Sequence, residues 1–348
     1  MNNRKKAISF MALAILLFLI GGVFLRNSKI SNYDTEEIYN SWKKLYIHNL
    51  GNDMSRVVNP EDNYITVSEG IGYGLLFSAA MKDKNTFDSL HNYMKSHLNK
   101  NGLMNWKIDS KGNVIGEGSA TDADEDMAYA FLLAYSNWSD NTYMEEAKRI
   151  IGAIEKYEIS SKYLVLPGDS WGENYSINPS YIAPLYYCKF SEASNKKFWN
   201  NVLNNNIIFL SDCMDTKTGF FPDWINSDFT KNEGNDIFGY DAVRIPIRLL
   251  QYYKKTKDTR ALNILQTEYK FISSIGADNL TAGYSLSGKQ LVKYVNQTYL
   301  SSFSAICYVN QSNDFSRQVT EKLIKSKEND YYGSSLRLWT MLILDGKM

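Results

Sequence analysis

The sequence predicts an all-α fold, six helical hairpins closed into an (α/α)6 barrel or toroid, behind an N-terminal transmembrane helix. Three observations carry the helical part. Apolar residues recur at three and four spacing through most of residues 36–348, as in Ile150, Ile151, Ile154 and Tyr157. Alternating, strand-like runs are few and short. Only 6 prolines occur in 348 residues, and no linker-like stretch interrupts residues 36–348, so no domain boundary is expected there.

Taken in chain order, residues 1–6 form a cytoplasmic tail whose Arg4, Lys5 and Lys6 set its side by the positive-inside rule. Residues 7–25, AISFMALAILLFLIGGVFL, carry no charge. As a helix they would be about 28 Å long, close to the hydrocarbon thickness of a bilayer. A cleaved signal would have a shorter apolar region and a small-x-small site, where Gly21-Gly-Val-Phe-Leu-Arg26 stands instead. The expectation is a single-pass anchor in the cell membrane with the remainder extracytoplasmic, the alternative being secretion after signal cleavage. A polar linker covers residues 26–35, and the globular domain covers 36–348.

Helices are expected to begin near Glu36, Glu69, Asn85, Asp124, Tyr143, Ser180, Asn195, Asp241, Asp258, Asn296, Asp314 and Tyr332. Between them, the connections near 99–121, 158–179, 212–240 and 275–295 are long and rich in Gly, Asn, Asp and Trp. Long connections on a helical scaffold are where binding residues gather. Trp106, Trp171 and Trp224 fall in them.

Composition removes several function classes. The 38 basic and 38 acidic residues balance to zero net charge, so the excess that neutralises phosphates is missing and no nucleic-acid partner is expected. Hydrophobic residues at 44% and charged residues at 22% exclude a disordered chain or a multi-span membrane protein. Aromatics reach 14%, more than a core needs, which leaves rings to spare as stacking surfaces. Cys188, Cys213 and Cys307 are too few and too odd for a disulfide framework, and buried free thiols are expected. His48, His91 and His97 lack metal-ligand spacing. Asp122, Asp124 and Asp126 alternate like a calcium loop, but Met127 and Leu133 stand where that loop needs Gly and Glu. Gly283 to Gln290 nearly matches a phosphate loop, yet Gln290 replaces the Ser or Thr that would hold magnesium. No cofactor and no metal are implied.

Three carboxylates remain, Glu69, Asp122 and Asp241, each at the start of a helix. They have a plain reading as N-caps stabilised by the helix dipole, with Asp122 and Glu125 closing a capping box. In a toroid, however, alternate helix ends converge on one mouth. Carboxylates there, lined by Trp and Tyr, suit sugar cleavage, because glycoside hydrolysis needs two carboxyl groups across the scissile bond.

The stretch Ser119-Ala-Thr-Asp-Ala-Asp-Glu-Asp-Met-Ala-Tyr-Ala-Phe-Leu-Leu-Ala-Tyr-Ser-Asn-Trp138 resembles the signature of glycoside hydrolase family 8, with Phe131 standing where an aliphatic is usual. Val67-Ser-Glu-Gly-Ile-Gly-Tyr-Gly74 resembles the family's general-acid segment. Gly102-Leu-Met-Asn-Trp-Lys107, Asn178-Pro-Ser-Tyr181, Phe221-Pro-Asp-Trp224, Gly239-Tyr-Asp-Ala-Val-Arg244 and Tyr331-Tyr-Gly333 follow in family order. The resemblance implies inverting hydrolysis of a β-1,4-glucan such as cellulose. It makes Glu69 the general acid, Asp241 the general base and Asp122 the acid that holds the sugar ring. Tyr181 would help place the attacking water, and Trp106 would be a stacking platform. Arg244, Trp171, Trp224, Tyr240 and Tyr332 complete the expected substrate-binding set. Glu69 must stay protonated at a helix start that favours its charged form, so burial and Asp122 are expected to raise its pKa. Together with the anchor, the resemblance implies service to exopolysaccharide synthesis and biofilm, with a cellulose synthase complex as a partner. The alternatives are chitosan, xylan or mixed-linkage glucan as substrate, or a non-catalytic polysaccharide-binding subunit.

Overall fold

The computed structural model describes residues 33–172, 176–226, 236–327 and 330–348. The expected tail and membrane segment, and the linker up to residue 32, lie outside them. No helix of the described residues is long and apolar enough to cross a membrane.

Twelve α-helices occur among the described residues: α1 (Thr35–Tyr46), α2 (Ser68–Ala80), α3 (Lys84–Ser96), α4 (Thr121–Trp138), α5 (Asn141–Tyr157), α6 (Pro184–Ala193), α7 (Lys196–Cys213), α8 (Ile245–Thr256), α9 (Thr259–Ile275), α10 (Gln297–Cys307), α11 (Asp314–Lys325) and α12 (Tyr331–Leu344). The even-numbered helices form an inner ring. Each packs on the next, α2 on α4 and onward to α12, which returns to α2. The odd-numbered helices lie outside, with α1 against α12, α3 against α2, and α9 against both α8 and α10. The expected double ring of hairpins is the observed arrangement.

Sequence chemistry explains the two layers. Outer helices are amphipathic: α1 buries Thr35, Tyr39, Trp42 and Tyr46 and turns most of its other residues outward. Inner helices bury far more of their surface, and every residue of α10 is buried. In α2, Gly72 allows a close approach to α4: a Cβ there would lie 3.0 Å from the Asp126 Cβ and 3.2 Å from the Ala123 carbonyl. That lets α2 and α4 run nearly backbone to backbone, and each opens with a candidate acid.

The helix starts differ in a way that matters for the site. All six outer helices begin with an Asp or Asn whose side chain accepts a backbone N–H: Asp34, Asp83, Asp140, Asn195, Asp258 and Asn313. Inner helices α2, α4, α6 and α8 begin at Val67, Ala120, Ala183 and Arg244 with no side-chain cap. Their acids are therefore free for other partners.

Two expected starts are displaced. Asn178 caps a 3-10 turn at Pro179–Tyr181, and α6 begins only at Pro184. Asp241 precedes a 3-10 turn at Ala242–Arg244, and α8 begins at Ile245, followed by Pro246. Proline in the first turn sets each α-helical start later than apolar periodicity alone implies. Seven short strands sit in the connections: β1 (Ile47–Gly51), β2 (Met54–Val57), β3 (Thr66–Val67), β4 (Lys107–Ile108), β5 (Val114–Gly116), β6 (Ile237–Phe238) and β7 (Tyr284–Ser285). They pair antiparallel as β1–β2, β3–β4–β5 and β6–β7. All three cysteines are free thiols, but only Cys307 is fully buried.

Candidate active site

Glu69 is the second residue of α2, Asp122 the second of α4, and Asp241 lies just before the turn that leads into α8. The ring brings these three starts to one guanidinium. Arg244 Nη1 lies 2.7 Å from Asp122 Oδ2 and 3.3 Å from Glu69 Oε2, while Nη2 lies 2.8 Å from Asp241 Oδ1. Nη2 also donates to Ser180 Oγ at 2.8 Å. Arg244 itself is 1% exposed. A planar fork with several fixed donors can hold this many acceptors at once; a point-charge ammonium cannot.

The capping-box expectation is overturned. Asp122 Oδ2 faces Arg244 and Oδ1 accepts only the adjacent Ala123 N–H, while Glu125 reaches the Tyr187 hydroxyl at 2.9 Å. Neither closes the helix start, because the buried arginine is a stronger partner than a backbone N–H.

The Glu69 side chain keeps 24% exposure at the mouth. Its pKa is pushed up to about 7, chiefly by burial, with Asp122 and Asp241 adding to the rise and Arg244 opposing it. Burial and Asp122 were the expected causes; the opposing arginine was not among them. The hydroxyl of Tyr73, one helical turn along α2, is buried with Glu69 among the groups facing it.

Aromatic rings line one side. The Tyr181 ring lies 5.4 Å from the Arg244 guanidinium carbon, Trp224 packs edge-on to Tyr181 at 6.2 Å, and Trp171 stacks on Trp224 at 6.5 Å and 27°. Trp224 Nε1 donates to Asp241 Oδ2 at 3.1 Å, which links this wall to the third acid. On the other flank, the Tyr332 hydroxyl donates to the Tyr240 carbonyl at 2.7 Å, next to Asp241. The Ser68 N–H donates to the Trp106 carbonyl at 2.9 Å, which places the Trp106 strand beside Glu69. Trp106 and Trp171 are each 41% exposed and Tyr240 49%, unusually open for residues of this size. Each of the ten expected residues is thus linked, directly or through a neighbouring residue, to the three acids.

Sequence reasoning missed three supports. Ser180 holds Arg244, and it lay inside a segment quoted for its tyrosine. Asp223 accepts the Gly239 and Ala242 N–H groups at 3.1 and 2.8 Å, clamping the turn that presents Asp241. Burial, reinforced by Asp241, pushes Asp223 up to about 6. Gly239 is required there, since a Cβ would fall 2.1 Å from Asp223 Oδ2. Behind them, Arg248 pairs with the fully buried Asp126 at 3.1 Å and lies against the Tyr186 and Trp339 rings. The acidic run of α4 announced a partner, but its spacing did not say which arginine. Among the described residues no group of side chains is arranged to hold a metal ion.

Comparison with known proteins agrees with this picture. The model of the family described as glycosyl hydrolases family 8 matches residues 14–346. Endoglucanase C of Ruminiclostridium cellulolyticum is 32% identical over 333 residues, covering 92% of this chain and 72% of that protein. Endoglucanase 2 of Ruminiclostridium josui is 33% identical over 321 residues, covering 88% and 70%. Among solved structures, the apo β-1,3-1,4-glucanase from Paenibacillus sp. X4 superposes with a TM-score of 0.83 at 28% identity, covering 90% of this chain and 91% of that one.

Proposed function

The chain belongs to glycosyl hydrolases family 8, and on that premise we propose that it is an endo-β-1,4-glucanase that cleaves cellulose-like β-glucan with inversion. The observation that carries this reading is the single guanidinium of Arg244 shared by Glu69, Asp122 and Asp241 beside an aromatic wall. Of the three acids, Glu69 has the longest contact and a raised pKa, which suits the proton donor to the leaving oxygen. Asp241, steadied by Arg244 and the Trp224 N–H, is the base that takes a proton from the attacking water. Asp122, buried and held hardest, orients the ring at the scissile position, and Tyr181 helps position the water. An inverting pair requires room for that water, a gap of roughly 6.5–9.5 Å between the two carboxyl groups. Trp106, Trp171, Trp224, Tyr240 and Tyr332 provide faces for successive sugars.

Reducing-end release from carboxymethylcellulose, run beside chitosan, xylan and mixed-linkage β-glucan, tests the substrate. The α-anomer as first product, seen by NMR, tests inversion. Turnover of chitosan or xylan alone, or a β-anomer first, overturns the respective half, and binding without turnover leaves a polysaccharide-binding subunit. A second reading, mixed-linkage glucan, is favoured by the glucanase of Paenibacillus sp. X4 and would appear as preference for that polymer.

The uncharged run 7–25 behind a basic tail supports an anchor in the cytoplasmic membrane, with the hydrolase on its outer side serving exopolysaccharide synthesis and biofilm beside a cellulose synthase. Retention in the membrane fraction after alkaline carbonate washing, lost on deleting residues 1–25, is the expected result. A mature N-terminus beyond residue 25 would mean secretion instead.

A further inference from the structure

Beneath the connections that carry Trp106 and Trp171 lie two carboxyl groups that hydrolysis does not use. Asp124 is two residues past Asp122 on α4, so the helical turn points it away from Arg244. Glu158 closes the end of α5. They are 1% and 0% exposed. Glu158 Oε1 accepts from Ser119 Oγ at 2.5 Å, and Asp124 Oδ1 sits 3.5 Å from the Met104 N–H. The second oxygens, Asp124 Oδ2 and Glu158 Oε2, are buried without a hydrogen-bond partner, as is the nearby Thr121 hydroxyl, and the two groups face each other. The charged groups turned toward them are Asp169 from the connection after α5 and Glu125 on α4, both acids, and the nearby neutral donors are the Ser119 and Thr121 hydroxyls. Two ionised carboxylates could not be buried in this company without a large cost, whereas one proton between them supplies the hydrogen bond that both orphan oxygens lack.

We propose that Asp124 and Glu158 share a proton and, in that state, act as positioning residues that fasten the Trp106 and Trp171 connections to the start of α4. The fastening runs through named bonds. Ser119 Oγ, held by Glu158, accepts the Asp169 N–H at 3.1 Å, and the Ser119 N–H returns to Asp169 Oδ1 at 3.0 Å. Asp169 Oδ2 takes the side-chain amides of Asn99 and Asn101 at 2.7 and 2.8 Å. The Thr121 N–H reaches the Pro167 carbonyl at 3.1 Å. Both tryptophan-bearing connections thus meet at the carboxyl pair. Burial pushes Glu158 up to about 7 and Asp124 well above its usual range, so Glu158 ionises first and Asp124 keeps the one proton that lies between them at neutral pH.

The test uses the Glu69→Gln protein, in which Glu69 neither titrates nor cleaves, with cellohexaose as the probe. Its affinity is expected to fall roughly tenfold as the pH is raised from about 7 through the loss of that last proton, about one pKa unit of coupling. Adding Glu158→Gln, whose amide donates permanently to Asp124, should hold affinity within about twofold across that range, and Asp124→Asn should do the same from the other side. An equal fall with and without these changes overturns the proposal. So does failure of both amide variants to fold at pH 6, where an amide should satisfy the pair. The affinity arm rests on the glucan-cleft reading. A second arm does not: against the wild type, Glu158→Gln should gain relative melting temperature as pH rises from about 4.5 to 7, because the folded pair keeps a proton that the unfolded chain releases. No cellohexaose binding at any pH, with that gain present, would sink the cleft and spare the pair; no gain would sink the pair.

Discussion

Arg244 Nη1 stands 2.7 Å from Asp122 Oδ2, with both side chains out of solvent and 122 positions apart in the chain. This ion pair ties α4 to α8 across the ring and fixes the frame on which Glu69 and Asp241 are hung. Removing the arginine strands three carboxylates in one pocket. Arg244→Ala should cost about 3–5 kcal/mol of stability, the usual penalty for breaking a buried pair, and abolish turnover. Arg244→Lys, which keeps the charge but not the fork, should fold and still lose most activity. Chemical denaturation beside hydrolysis rates checks both.

Glu69→Gln and Asp241→Asn should each reduce turnover by at least about a hundredfold, the low end of a general acid or base contribution, with cello-oligosaccharide affinity retained. Wild-type turnover in either variant removes that residue from the chemistry. Binding lost in step with turnover assigns it to the cleft wall instead.

The raised pKa of Glu69 sets the alkaline side of the activity profile. The acid must be protonated, so kcat/KM should decline as pH rises through about 7. The same shift affects stability with a definite sign. Between the unfolded value near 4.5 and the folded value near 7, the folded chain holds a proton that the unfolded chain has released, so Glu69 makes folding less favourable as pH rises. Glu69→Gln should therefore gain on the wild type across that window, by up to about 3 kcal/mol, and hold a constant lead above it. Melting temperatures from pH 4 to 8 measure this.

Trp106, exposed beside the Glu69 start, should contribute binding and little to the core. Trp106→Ala is expected to weaken oligosaccharide affinity by about 1–3 kcal/mol, on the scale of aromatic stacking, and leave the melting temperature within a few degrees. Calorimetric titration reads the first number. Unchanged affinity would make the ring a surface ornament of the β3–β4–β5 sheet.

Gly239→Ala pushes a methyl into Asp223, which clamps the turn that aims Asp241. The expected outcome is a fall in kcat of roughly a hundredfold, the consequence of displacing a reacting group by about 1 Å, with KM changed less. Steady-state kinetics separate the two.

The helices were legible because each buries a stripe, or its whole surface, and burial writes a period into the residues; ten of twelve starts lie within a few positions of expectation. The starts after Ser180 and Asp241 were displaced because Pro184 and Pro246 act on backbone geometry, which apolar spacing does not record. An acid at a helix start looks the same whether it caps or reacts, so Asp122 was open to both readings. The pair Asp124 and Glu158 was invisible as a pair, since nothing local links them.

The order of the residues alone determined the six-hairpin architecture, the family and the three acids, because amphipathic spacing and motif order survive without coordinates. Only the tertiary structure decided that those acids share one arginine rather than cap three helices. Closing the ring is what brings residues more than a hundred positions apart within hydrogen-bond reach, and a buried guanidinium outcompetes a solvent-accessible helix end for a carboxylate.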